Sequence, residues 1–194
     1  MPPTLTLSLD PEADALLSED PLALLIGMVL DQQVPLEKAF RGPYDLKRRL
    51  GVDRLDAAAI AALDSDRLIP AFVTPPALHR YPAAMAARVQ ELCRVVATEY
   101  GGGADRIWRE AGDGADLLAR VKALPGFGDQ KARIFVALLG KQLGVDVPGW
   151  REAAGPYGEE GSKRSVADIT GPDSLAEVRE YKKQMKAAAK ASNP

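Results

Sequence analysis

Leu124-Pro125-Gly126-Phe127-Gly128-Asp129-Gln130-Lys131-Ala132, running on into Ile134-Phe135-Val136 and Leu138-Leu139, is the stretch that decides the fold. A proline-glycine turn with a second glycine two residues later separates two segments, and the second carries apolar residues at helical spacing. Two glycines around one hydrophobe permit positive φ angles in a tight hairpin. Successive backbone N–H groups at the start of the following helix can then face an anion without any basic side chain. The plain alternative is an ordinary turn between two helices, and these residues alone do not separate the two.

Outward from the hairpin, the chain reads as helices punctuated by proline and glycine. Asp20 can cap a helix that Pro21 opens and that Leu22, Leu25, Ile26, Val29 and Leu30 build, ending before Pro35. Shorter helical pieces are expected at 36–40, 44–50 and 56–63, broken by Gly42-Pro43, Gly51 and Pro70. A long amphipathic helix is expected over 82–100, stopped by Gly101-Gly102-Gly103. A helical pair brackets the hairpin, its second member reaching about Gln142. Residues 147–171 read mostly as loop, after which Ser174 and Glu177 form a capping box for a last helix with a basic end, Lys182 to Lys190. Residues 4–9 alternate polar and apolar like a short strand and are treated as a lead-in. The expected class is all-α, with many short helices.

With 46% hydrophobic and 27% charged residues, the chain lies with folded globular proteins and away from disordered ones. Its 194 residues suit one domain, or two lobes sharing a core. Cys93, in an apolar helical run with Met85, Val89, Leu92 and Val96, reads as a small core side chain in a reducing compartment. No apolar run is long enough to cross a bilayer, and Met1-Pro2-Pro3-Thr4 lacks the character of a signal peptide, so a cytoplasmic protein without a membrane partner is expected. A net charge of −2 and a pI of about 5.6 argue against nucleic-acid binding by bulk charge, so any such site must be local.

Two further motifs flank the hairpin in the chain. Leu30-Asp31-Gln32-Gln33 closes the first strongly apolar helix in a polar turn, and an amide there can stack, donate and accept. In isolation such glutamines are usually just solvated. Val145-Asp146 lies fourteen residues beyond Ala132, past the helix that leaves the hairpin, with Pro148 placed for a first helical turn. An aspartate in that setting is commonly a helix cap.

These three motifs, in this order, resemble the helix-hairpin-helix DNA glycosylase superfamily over about residues 20–150. The resemblance implies an all-α, two-lobed fold with a central cleft, a single domain in which 1–35 and 143–194 form one lobe and 36–142 the other. It implies a base-excision repair enzyme that flips a damaged or mispaired base from duplex DNA and hydrolyses its N-glycosidic bond. On that footing Pro125, Gly126, Phe127, Gly128, Gln130 and Lys131 would grip the strand. Gln33, with Gln32 beside it, would fill the gap left by the base. Asp146 would be the carboxylate that stabilises positive charge on the deoxyribose. Members that also nick the strand carry a Schiff-base lysine where this chain has Gln130. Lys131 is about 100 degrees further round the helix, so no lyase step is expected. Members with an iron–sulfur cluster need four cysteines, which this chain does not have. No metal or cofactor is expected, a monovalent cation at the hairpin excepted, and the partner would be DNA bound by a monomer. The rival readings are a non-catalytic helix-hairpin-helix DNA-binding protein and a protein-interaction scaffold.

Past Asp146 the chain departs from the resemblance, running Val147-Pro148-Gly149-Trp150-Arg151 into glycine-rich sequence. Trp150 and His79, the single histidine, are the candidates for the base pocket. Their ordinary readings are packing for the tryptophan and a partly exposed structural role for the histidine. Lys163, Arg164 and the basic tail are the candidate sources of local phosphate attraction.

Overall fold

The computed structural model describes residues 4–193; the reading of Met1, Pro2 and Pro3 lies outside them. All regular structure among the described residues is helical: α1 (Pro11–Glu19), α2 (Pro21–Leu30), α3 (Leu36–Leu50), α4 (Ala57–Ala62), α5 (Ser65–Val73), α6 (Pro82–Glu99), α7 (Arg106–Arg109), α8 (Gly114–Lys122), α9 (Asp129–Gln142), α10 (Trp150–Ala154) and α11 (Pro172–Ala191). Single 3-10 turns lie at Gly155–Gly158 and Val166–Asp168. No helix among the described residues is long and apolar enough to cross a membrane.

Aspartates start many of these helices. Asp10, Asp20, Asp56 and Asp113 each accept a hydrogen bond from a backbone N–H in the first turn that follows, satisfying donors the helix itself cannot. Gly51, left-handed at φ 66, ends α3. From Leu22 to Leu30 every residue of α2 is buried. A helix that is apolar all round belongs inside the protein, and α2 is accordingly central.

Several expectations are corrected. Residues 4–9 form no strand; the N–H groups of Leu7 and Ser8 donate to Asp14 Oδ1 at 3.0 and 2.7 Å, tying the segment to α1. The pieces expected at 36–40 and 44–50 are one helix, α3, running through Gly42-Pro43. Packing overrides the propensity penalty there: a Cβ on Gly42 would lie 2.4 Å from Leu30 Cδ1, so the glycine is where α2 and α3 touch. Pro70 likewise sits inside α5 rather than ending a helix. Part of the expected 147–171 loop is α10. Helix α11 begins at Pro172, with Ser174 Oγ accepting from the N–H groups of Thr170 and Gly171, while Glu177 pairs with Lys163 at 3.1 Å instead of completing a cap.

Helices α1 to α6 pack chiefly on one another, with α2 on α3 and α4 and α5 on α6. Helices α8 and α10 pack on α9, as do residues 166–168, which also carry α11. The α2–α3 contact at Gly42 holds those two helices together across residues 35 and 36. One continuous apolar cluster joins both groups of helices. In it Trp108 and Phe127 both meet the fully buried Phe135 edge-on with ring centroids 5.8 Å apart, so the hairpin is anchored in the core through Phe127.

Candidate functional site

Helix α2 is apolar until it stops, and its first polar residue, Asp31, is its C-cap. The turn that follows contains Gln33 at φ 56, a left-handed conformation that costs a non-glycine residue on the order of 1 kcal/mol. His79 holds this turn in place. Its Nε2 lies 3.1 Å from the Leu30 carbonyl oxygen and 2.8 Å from that of Gln32, and its Nδ1 accepts from the Tyr81 N–H at 3.0 Å. That pattern assigns the proton to Nε2 of a neutral imidazole. His79 is 1% exposed, not partly exposed as expected, and burial lowers its pKa despite the two carbonyls that favour the charged form. The Gln32 amide folds back to donate to the Val29 carbonyl at 3.3 Å, whereas Gln33 is exposed. Of the two glutamines, Gln33 is the one able to reach outward.

The hairpin begins as a turn with Pro125 second and Gly126 third, closed by the Phe127 N–H donating to the Leu124 carbonyl at 3.1 Å. Only one of its glycines is left-handed: Gly126 has φ 87, whereas Gly128 has φ −80. A Cβ on Gly126 would crowd Arg88 and Val29 at 3.1 to 3.3 Å, so the fold itself requires that glycine. A Cβ on Gly128 would meet nothing within 4 Å. Among the described residues, the N–H groups of Gly126, Gly128, Asp129 and Gln130 find no intramolecular acceptor. The last three open α9, where the helix dipole adds partial positive charge. Asp129 stands beside them, its pKa lowered by Arg133 at 2.9 Å and Lys122 at 3.1 Å.

The turn after α2, the first turns of α9 and the side of α11 enclose a cleft of about 550 Å³. Asp31, Gln32, Gln33, Gln130 and Lys131 line it, with Lys182 and Lys186 from α11. The rotation around α9 works opposite to expectation. Gln130 donates to the Tyr157 hydroxyl at 2.9 Å on the rim, while Lys131 turns inward, its Nζ donating to the Met28 carbonyl at 2.6 Å. Burial lowers the Lys131 pKa, with the Asp31 charge opposing. Burial raises the Asp31 pKa, opposed by Lys182 and Lys131.

No family model matches the chain, and no curated protein does.

Asp146 is not brought to this cleft. It is exposed, beyond the C-terminal end of α9, whereas the cleft lies at the helix's start; fourteen helical residues separate them by about 21 Å. Trp150 is also elsewhere: its indole covers Gly140, where a Cβ would come within 2.4 Å, and the Arg151 guanidinium lies 4.5 Å from its ring centroid. It packs α10 onto α9. Sequence reasoning left Asp31 without a role, although an aspartate at the C-terminal end of an apolar helix opposes the helix dipole and was visible as such. It also passed over Tyr81, 46% exposed beside His79.

Two titration experiments test this description. The unfolded chain takes up a proton on His79 near pH 6.5 while the folded protein resists it, so wild type should lose stability as pH falls through that region, and His79→Gln should flatten the loss. Equal slopes in thermal melts would remove the histidine from the account. Asp31 has the opposite sign: its folded pKa is raised, so Asp31→Asn should melt above wild type at pH 7, the two curves converging as the pH falls through the raised pKa. A lower melting temperature for the variant at pH 7 would mean that attraction to Lys131 and Lys182 outweighs burial.

Proposed function

We propose that the protein binds duplex DNA through the hairpin and hydrolyses the N-glycosidic bond of an extruded nucleotide in the 550 Å³ cleft, with Asp31 in place of Asp146 as the carboxylate. One observation carries the proposal: a desolvated carboxylate shares a cleft with an outward-reaching glutamine and with the start of α9, whose amides lack acceptors. A cavity of this size suits a small organic ligand such as a nucleoside.

In the reaction the bond between C1′ and the base breaks, and the base keeps the electron pair. The ionised Asp31 stabilises the positive charge that builds on the sugar, and water adds to C1′, its proton ending on the departed base, which holds the electron pair. Buried polar surroundings make that stabilisation larger than it would be in water. Gln33 enters the duplex where the base has left. The α9 amides and Gly126 hold the phosphate, which needs no net positive charge on the protein. Lys131 is committed to the Met28 carbonyl and serves as a strut between α9 and α2, so the reaction ends at the abasic site. The exposure of Asp146 favours one rival, a DNA-binding protein without chemistry.

Duplexes carrying single uracil, hypoxanthine, alkylated or oxidised bases, treated with alkali after incubation, separate these readings. Breaks lost in Asp31→Asn and kept in Asp146→Asn are expected; the reverse would return catalysis to Asp146, and binding without breaks would establish the rival. Borohydride should trap no adduct, and an adduct that disappears in Lys131→Gln would assign a lyase step to that amine.

Gly128 offers a separate test, because the fold does not need a glycine there. Serine is a better helix cap, so Gly128→Ser should keep or raise stability while its side chain obstructs the phosphate. DNA affinity is expected to fall on the order of tenfold, the equivalent of roughly one charge-assisted hydrogen bond. Unchanged affinity would take the hairpin out of the proposal.

A further inference from the structure

Helix α11 is anchored only through its first half. Its buried residues are Leu175 and Val178, and residues 182–193 are exposed. Arg179 on this helix pairs with Glu37, and Glu177 with Lys163. Lys182, Lys183, Lys186 and Lys190 have no carboxylate partner within 4 Å among the described residues. Three of them recur every four residues, so they share one face at intervals of about 6 Å along the axis. Like charges at this spacing repel, a repulsion that the attraction between Asp31 and Lys182 offsets in part.

These lysines face a second groove, of about 850 Å³, between α11 and residues 157–164. Arg164 and Arg179 add to its wall, and no aspartate or glutamate lines it. In a chain with net charge −2, a groove walled by four unpaired lysines, together with Arg164 and Arg179 whose partners Glu159 and Glu37 stand outside its lining, is a strong local departure. Ile134, Tyr157, Tyr181 and the half-exposed Met185 give it apolar surface as well. It is continuous with the first cleft, since Gln130, Ile134, Lys182 and Lys186 line both.

The occupant must therefore be polyanionic, extended, and able to use apolar contacts. A membrane surface fits poorly, because the exposed end of α11 offers Met185 as its one large apolar side chain, too little for a helix lying in an interface. An unpaired nucleic-acid strand fits on each count: phosphates meet regularly spaced lysines, and bases have apolar faces to stack. We propose that this groove is a track for an unpaired strand continuous with the nucleotide in the cleft, so that the preferred substrate has single-stranded sequence beside the reacting position. The proposal rests on the DNA reading of the cleft.

The test uses Lys183→Gln/Lys190→Gln in the full chain, since both lysines line the groove and neither lines the cleft. Affinities are measured over a salt series for a blunt duplex and for the same duplex with a single-stranded extension. Wild type should bind the extended substrate more tightly. The double variant should lose that preference, and its salt dependence on the extended substrate should be shallower by about 1.4, or roughly 0.7 for each phosphate contact removed. Cleavage of a saturating blunt substrate should be unchanged. Equal binding of both substrates by wild type, or an unaltered preference in the variant, overturns the track and leaves the cleft reading standing. Wild type that binds neither DNA overturns both. Binding to vesicles with anionic lipid that the variant loses, while DNA binding is unaltered, would assign the lysines to a membrane surface and overturn the track.

Discussion

Helix α2 is buried on every side from Leu22 to Leu30, and it stops at an aspartate. A helix with no polar face cannot be shifted along its axis without exposing apolar surface or burying charge, so its end point is fixed by packing on both flanks. Gly42 on α3 receives Leu30, and Gly126 on the hairpin comes against Val29. The consequence is that Asp31 and the two glutamines appear at one place, beside the first turn of α9. Lys131 closes the arrangement by donating into the carbonyl end of α2, where the helix dipole favours a cation.

Charge distribution follows the same division. Overall the chain is acidic, and many of its aspartates are spent at helix starts, where they satisfy backbone donors. Four of the lysines that have no carboxylate partner among the described residues stand on α11, around the cleft and its continuation. A net charge of −2 thus says little about any one face. The hairpin adds attraction of another kind, through amides that carry no formal charge and that depend on no side chain.

Much of this was legible in the sequence, and the limits were physical. Local signals that act through the backbone read correctly: Asp20-Pro21 opens a helix, Gly101-Gly102-Gly103 ends one, and the proline-glycine turn joins two. Signals that packing can overrule did not. Pro43 sits inside α3 where Leu30 of α2 packs against Gly42, information that no local window contains, and Pro70 sits inside α5. The inward turn of Lys131 and the outward turn of Gln130 depend on where α2 lies, a contact across about a hundred residues. Asp146 stands out by order along the chain, and order alone does not say which end of a helix faces a cleft. Asp31 belongs to the Leu30-Asp31-Gln32-Gln33 turn, yet what distinguishes it is burial, which only the assembled fold supplies.

Two features at the end of α2 oppose stability, and they lie two residues apart. Gln33 holds a left-handed backbone, and Asp31 is a carboxylate whose surroundings disfavour its charge. Glycine at 33 and asparagine at 31 would relieve them separately. A turn that only joined two helices would gain nothing from keeping both. His79 works in the other direction, its neutral ring holding the carbonyls of Leu30 and Gln32 on either side of Asp31, so that an amide is presented outward and a carboxylate inward at one fixed place. Conformational and electrostatic cost gathered at one turn, and braced there by a buried side chain, sets the end of α2 apart from the rest of the fold.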